Sequence, residues 1–156
     1  MNKTDVLVIG GSAAGLVAAL AAKSHYPEKD VTLIRKEETA VIPCGIPYIF
    51  GSLESSDEDV IPDAVLTKAG IKTKIGEVVS IDTRTKVCTT ADGTDIEYEK
   101  LVLALGSTPS VPKWLPGTEL ENVFTIRKDK AYLDGLLETL SGCRDIVVVG
   151  GGFIGV

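Results

Sequence analysis

Residues 5–9 are apolar and mostly β-branched after Asp5, and they run without a break into Gly10 and Gly11. An alanine-rich stretch from 12 to 23 follows, Pro27 prevents its continuation as a helix, and a second apolar run occupies 31–34. Strand, tight turn, helix and strand within the first 35 residues make a β-α-β unit. Its strands must be parallel and its crossover right-handed, because a right-twisted strand feeding a helix packs back onto the sheet only that way. Parallel strands are covered on both faces, so they read as continuous apolar runs rather than alternating ones.

Further along, the pattern changes. A strand is expected at 71–75, and 77–82, 86–90 and 95–98 are short alternating segments. Asp92-Gly93 between two of them is a hairpin signal, so an antiparallel meander inserted into the α/β unit is expected. Residues 101–105 return to an unbroken apolar strand, and 110–117, with Pro112 and Pro116, read as a connector. A strand at 123–126 and a helix at 128–140 are expected next. Trp114 in the connector is expected to pack rather than to react. Residues 146–149 form one more apolar strand that runs into Gly150, Gly151 and Gly152, and the chain stops at Val156. A strand and glycine turn without the following helix are half of a unit. The chain therefore reads as a piece of a longer protein, with 146–156 mobile or pairing with a neighbouring edge.

Composition narrows the function. Sixteen Lys and Arg against 22 Asp and Glu give a net charge of −6, and only 5% of residues are aromatic. Charge-driven binding to nucleic acid or anionic membrane and base-stacking platforms are both disfavoured. No apolar run approaches the roughly 20 residues of a membrane span, and no signal-peptide pattern opens the chain. Three scattered cysteines fit neither a disulfide scaffold nor a zinc site and point to a reducing cytoplasm. No metal-ligand spacing is present, and His25 reads as a surface residue.

Gly10-Gly11-Ser12-Ala13-Ala14-Gly15 matches G-x-G-x-x-G with Ser12 in the middle glycine's place. Gly10 permits the sharp turn. Small residues at 12–14 let a pyrophosphate approach the backbone N–H groups at the helix N-terminus, where the dipole favours negative charge. Gly15 and Ala19 let the helix lie close on the sheet. An acidic residue is usual about 20 positions further on, to hold a ribose. Arg35 and Lys36 stand there, with Glu37 and Glu38 beyond. Either a glutamate takes the ribose or Arg35 stacks on or pairs with the adenosine end. The second turn, Gly150-x-Gly152-x-x-Gly155, is a complete match. Two such turns point to two dinucleotides, a flavin and a nicotinamide. The second is expected to bind nothing without its helix.

Cys44 lies in Pro43-Cys44-Gly45-Ile46-Pro47-Tyr48. Pro47 is tolerated in a first helical turn, so Cys44 is expected at or just before a helix N-terminus, where a thiolate is stabilised. The alternative is a buried structural cysteine. A C-x4-C partner would fall at position 49, which is Ile49, so a lone redox cysteine would cycle through a sulfenic acid, a mixed disulfide or a persulfide. Cys88 and Cys143 are expected to be inert.

Taken in order, these motifs and the run from Leu101 to Pro109 resemble the pyridine nucleotide-disulfide oxidoreductases. The likeness is nearest to the single-cysteine branch of NADH oxidases, NADH peroxidases and coenzyme A disulfide reductases. It implies a Rossmann-like FAD-binding domain in 1–112, a connector in 113–143 and the start of a truncated NAD(P)H-binding domain in 144–156. It also implies a cytoplasmic homodimer, through a later domain, acting on a small-molecule substrate. By position, Gly10, Gly11, Ser12, Ala13, Ala14 and Gly15 would hold the FAD pyrophosphate. Arg35 and Lys36 would face the ribose, and the backbone near Val79 the adenine. Pro43, Ala104, Leu105, Gly106 and Ser107 would line the flavin side, with Cys44 against the isoalloxazine. Gly150, Gly152 and Gly155 would open the NAD(P)H site.

Arg35 stands where the family usually has glutamate, and Ser12 replaces a glycine. Val17, Ala21 and Ser24 are apolar or small where coenzyme A disulfide reductases contact their substrate. The implied activity passes electrons from NAD(P)H through flavin and Cys44 to oxygen, peroxide, a disulfide or a persulfide. One rival reading is a reductase of a rubredoxin- or ferredoxin-type carrier with Cys44 a bystander. Another is a non-catalytic nucleotide-binding module.

Overall fold

A computed structural model describes residues 2–152 and 155. The chain divides into two compact units.

The first unit, Met1–Ala40 with Ile61–Gly106, carries a six-stranded sheet. Its strands are β1 (Asn2–Ile9), β2 (Val31–Arg35), β3 (Lys72–Ile75), β4 (Val78–Asp82), β5 (Val87–Thr90) and β6 (Asp95–Leu103), in the order β3-β2-β1-β6-β5-β4. The pairs β2–β3, β1–β2 and β1–β6 are parallel; β4–β5 and β5–β6 are antiparallel. The helix α1 (Ala13–His25) is the crossover between β1 and β2. Alternation along the strands separates two cores. Leu7, Ile9 and Ile34 cluster with Cys88, Ile96 and Tyr98, whereas Val8, Val31 and Leu33 pack with Ala19 of α1 and with Leu66 and Ile71. The α/β reading holds, with the parallel sheet and antiparallel segment expected.

The meander also forms as expected. Asp92 closes the β5–β6 hairpin, its Oδ1 accepting from Thr94 N at 3.0 Å and from Thr90 Oγ1 at 2.5 Å, with Gly93 at φ +78°. These hydrogen bonds, the Thr90 hydroxyl first, hold the Asp92 carboxyl well below the ordinary carboxylate range.

Two strand expectations merge. The meander's last segment and the apolar run after it are one strand, β6. It pairs antiparallel with β5 over Asp95–Glu97 and parallel with β1 from Ile96 to Leu103. The charged pair Glu99-Lys100 breaks the apolar pattern without breaking the strand, because both residues are exposed.

The second unit, Val41–Val60 with Ser107–Val156, holds α2 (Ile46–Ile49), a 3₁₀ turn (Ser56–Asp59) and α4 (Lys130–Ser141); α3 (Ala64–Lys68) belongs to the first unit. Val41, Ile46, Ile49 and Leu133 form its core. Asp129 caps α4 by accepting from Tyr132 N at 2.8 Å. Lys130 joins the helix to the 3₁₀ turn through Asp57 at 2.9 Å and pairs with Asp134 of its own helix at 2.9 Å.

Three expectations are corrected here. Residues 123–126 form no strand: Thr125 O accepts from Tyr132 Oη at 2.7 Å, and no strand among the described residues pairs with them. Trp114 does not pack; it is 78% exposed. Residues 146–149 lie outside any ladder and are all exposed, since apolar character alone supplies no hydrogen-bonding partner. The expectation for 146–156 falls partly on Phe153, Ile154 and Val156, which lie outside the described residues. No helix among the described residues is long and apolar enough to cross a membrane.

Candidate functional site

The parallel order puts the C-terminal ends of β1, β2 and β6 together, with the turn from Gly10 to Gly15 emerging between them. Gly10 adopts φ +110°, a conformation closed to most side chains, and a Cβ there would overlap the Ala104 carbonyl oxygen. Ala104 N donates to Ile9 O at 2.8 Å, which locks the end of β6 to the turn. A Cβ at Gly15 would overlap the Gly10 carbonyl oxygen, so α1 starts directly on the turn's backbone. Ser12 is extended at the N-cap position, and Leu16 N donates to Ser12 O at 2.9 Å as α1 begins. Ala13 and Ala14 are exposed and present no bulk. The result is an open corner whose floor is backbone and whose wall is the positive end of a helix of 13 residues. These residues fit a dinucleotide pyrophosphate.

The structure thus brings Gly10, Gly11, Gly15, Arg35, Ala104 and Leu105 together in the first unit. Val79 is the bulged residue of β4 and is 61% exposed. Lys36 is exposed, 3.8 Å from Glu37.

Arg35 does not sit as expected. Its side chain is 2% exposed, and its fork closes on Asp63, Nη1 to Oδ1 at 2.7 Å and Nη2 to Oδ2 at 2.8 Å. Nε donates to Glu37 O at 2.9 Å and Nη2 to Glu38 O at 2.6 Å. The guanidinium is turned into the protein, away from the role of an open adenosine contact.

Pro43, Cys44, Ser107, Gly150, Gly152 and Gly155 belong to the second unit. Cys44 is exposed and stands immediately before Gly45, the N-cap residue of α2. Ser107 Oγ accepts from Lys128 Nζ at 2.9 Å. Gly150 has φ +125°, and a Cβ at Gly155 would overlap its carbonyl oxygen, the same relation that Gly15 bears to Gly10. Gly155 therefore stands to Gly150 as Gly15 stands to Gly10, although 146–149 has no strand partner among the described residues.

Two residues escaped the sequence reading. Asp63, which partners Arg35, precedes α3, and a start signal was present in Pro62-Asp63 before Ala64-Val65-Leu66, with Gly70 just beyond the helix. Asp59 is 2% exposed, its Oδ2 has no hydrogen-bond partner, and a Cβ at Gly45 would overlap its Oδ1. Burial pushes its carboxyl up. No local signal marks an aspartate for burial. Cys88 is sealed in the sheet's core, and burial raises its thiol as well. Cys143 is exposed near the end of α4. His25 ends α1, its Nδ1 2.9 Å from Ala21 O. Among the described residues no group of three or more His, Cys, Asp or Glu is placed to hold a metal.

The family model described as pyridine nucleotide-disulphide oxidoreductase matches residues 4–156. The NAD(P)H sulfur oxidoreductase (CoA-dependent) of Pyrococcus abyssi is 34% identical, the match covering 99% of this chain and 36% of that protein. The NADH oxidase of Methanocaldococcus jannaschii is 34% identical over 96% of this chain and 36% of its own length. The water-forming NADH oxidase from Lactobacillus brevis bound to NADH superposes with a TM-score of 0.83 at 29% identity, covering 97% of this chain and 35% of that one. The chain spans about a third of the length of these relatives. The matched family comprises FAD-dependent, NAD(P)H-using oxidoreductases. By its strand–glycine turn–helix corner and by a family match that runs from residue 4 to residue 156, this chain belongs to the pyridine nucleotide-disulphide oxidoreductase family.

Proposed function

We propose that the full-length protein is an FAD-dependent NAD(P)H oxidoreductase of the NADH oxidase type, and that this chain supplies its FAD cradle and a redox cysteine. The observation that carries the reading is the corner itself, with Gly10 and Gly15 each packed where no side chain fits and α1 opening directly behind. Gly10 to Gly15 would hold the pyrophosphate by backbone N–H groups and helix dipole. Ala104 to Ser107 would line the flavin side, the backbone at Val79 would meet adenine, and Gly150, Gly152 and Gly155 would open the NAD(P)H site. The bound flavin supplies the two-electron relay that side chains lack.

Cys44 is the residue this chain offers to an acceptor. Its exposed sulfur, as the thiolate, would attack one sulfur of a disulfide, forming a mixed disulfide and releasing the other sulfur as a thiolate that takes up a proton, or take the outer sulfur of a persulfide and release the parent thiolate; Cys44 would be freed again by two electrons originating from NAD(P)H. Pro43 and Pro47 restrict the backbone on either side of it.

The test is Cys44→Ser in the full-length protein, assayed under nitrogen. FAD content and flavin reduction by NAD(P)H are expected to remain, while turnover with disulfide or persulfide falls at least a hundredfold. Unchanged turnover with every small acceptor would remove the cysteine from the mechanism. It would favour electron transfer from flavin to a protein carrier.

A further inference from the structure

We propose that Arg35 and Asp63 form a buckle that fixes the turn facing the dinucleotide's adenosine end, which makes Asp63 a positioning residue for the ADP half of FAD. The proposal rests on the reading of the Gly10–Gly15 corner as an FAD cradle. Open α/β sheets receive the ribose at the C-terminal end of the strand after the glycine turn, here the end of β2. Arg35 is the last residue of that strand, in register with Ile75 of β3, and Gly76 N donates to its carbonyl at 2.8 Å.

From this anchored backbone the side chain folds back. Its stem occupies the space a Cβ at Gly11 would need, so the buckle packs directly on the cradle. Its guanidinium then gathers three groups from two segments: the carboxylate of Asp63 and the carbonyls of Glu37 and Glu38. Four N–H donations from a guanidinium with five leave little to offer a ligand.

Asp63 shows the same commitment from the other side. It holds the N-cap position of α3, where an aspartate ordinarily accepts from the helix's first N–H groups, yet its side chain makes no cap hydrogen bond. Both oxygens go to Arg35 instead. A planar fork matched to a carboxylate and two carbonyls is a geometry that arginine supplies and lysine does not. What remains of 35–38 to meet a ribose is its backbone, the exposed Lys36 side chain and the carboxylates of Glu37 and Glu38, on a turn held in place by the buckle.

The experiment uses the full-length protein stripped of FAD, with affinity read by quenching of flavin fluorescence and ADP used as a competitor. Asp63→Asn removes the charge of the pair; Arg35→Lys keeps its own charge but loses the fork. Each is expected to weaken FAD and ADP by the same factor, about tenfold, because only the adenosine end is disturbed. The visible spectrum at saturating FAD is expected to match that of the unsubstituted protein, because the isoalloxazine end is not disturbed. FAD affinity unchanged or tighter in Asp63→Asn would overturn the proposal, since a released Arg35 would then be a ligand or be irrelevant. A spectrum altered at saturation would overturn it too, by showing general loosening. An unsubstituted protein that takes up no FAD would defeat the cradle reading itself.

Discussion

Gly15→Ala is expected to lower the stability of the protein by about 2 kcal/mol and its FAD affinity more than tenfold. Two effects of opposite sign compete at this position. Within a helix, alanine is favoured over glycine by about 1 kcal/mol. Against it stands the overlap of the new Cβ with the Gly10 carbonyl oxygen, with Ala104 Cβ 3.4 Å away. The obstructing atom is backbone in a turn already anchored to β6, so it cannot swing aside as a flexible side chain would. Relief requires α1 to lift from the sheet, and forced backbone shifts of this kind cost about 1–3 kcal/mol or more. The lift also withdraws the helix N-terminus from the phosphates it would bind. Gly51→Ala is the matched control, because a Cβ there meets nothing within 4 Å, and a change within about 0.5 kcal/mol is expected. Urea denaturation and flavin fluorescence check both. A Gly15→Ala protein with ordinary stability and FAD affinity would mean that α1 does not start on the turn's backbone.

Asp59→Leu is expected to stabilise the protein at neutral pH by about 1–3 kcal/mol, the penalty of a buried polar group left without a partner. Asp59 lies in the 3₁₀ turn, and only the absence of a side chain at Gly45 admits its carboxyl. The sign of the pH dependence follows from the direction of the shift. Burial raises the folded-state value, so folding favours the neutral acid. The associated stability is complete below the unfolded chain's carboxylate range, near pH 4, and is lost as pH rises through the folded-state value. The advantage of the leucine variant should therefore be small at pH 4 and grow toward neutrality. Asp59→Asn separates charge from polarity: it removes the titration but keeps an unsatisfied polar group, so an intermediate gain is expected. Thermal unfolding of the three proteins from pH 4 to 8 is the measurement. An advantage that stays constant over that range would show that Asp59 does not titrate there.

The corner from β1 to α1 was legible because everything it needs lies within a few residues. Gly10 must adopt a positive φ, Gly15 must have no Cβ, and an apolar run must end just before them. The Asp92-Gly93 hairpin was legible for the same reason, with its donors and acceptor between Thr90 and Thr94. Gly150 and Gly155 show how far such information reaches: they repeat the relation of Gly10 to Gly15 although 146–149 pairs with no strand among the described residues.

The misreadings concern properties that two distant segments share. A strand is completed by its neighbour, so apolar residues at 123–126 and 146–149 formed no ladder, while β6 continued through Glu99 and Lys100 with β1 alongside. Arg35 and Asp63 are 28 positions apart, and nothing near either residue names the other as its partner. The sequence by itself determined the local backbone of the first glycine turn, the parallel order that a crossover helix imposes and the family. Only the tertiary structure decided which charges are buried and what satisfies them, because desolvation and ion pairing depend on what the fold brings within a few ångströms.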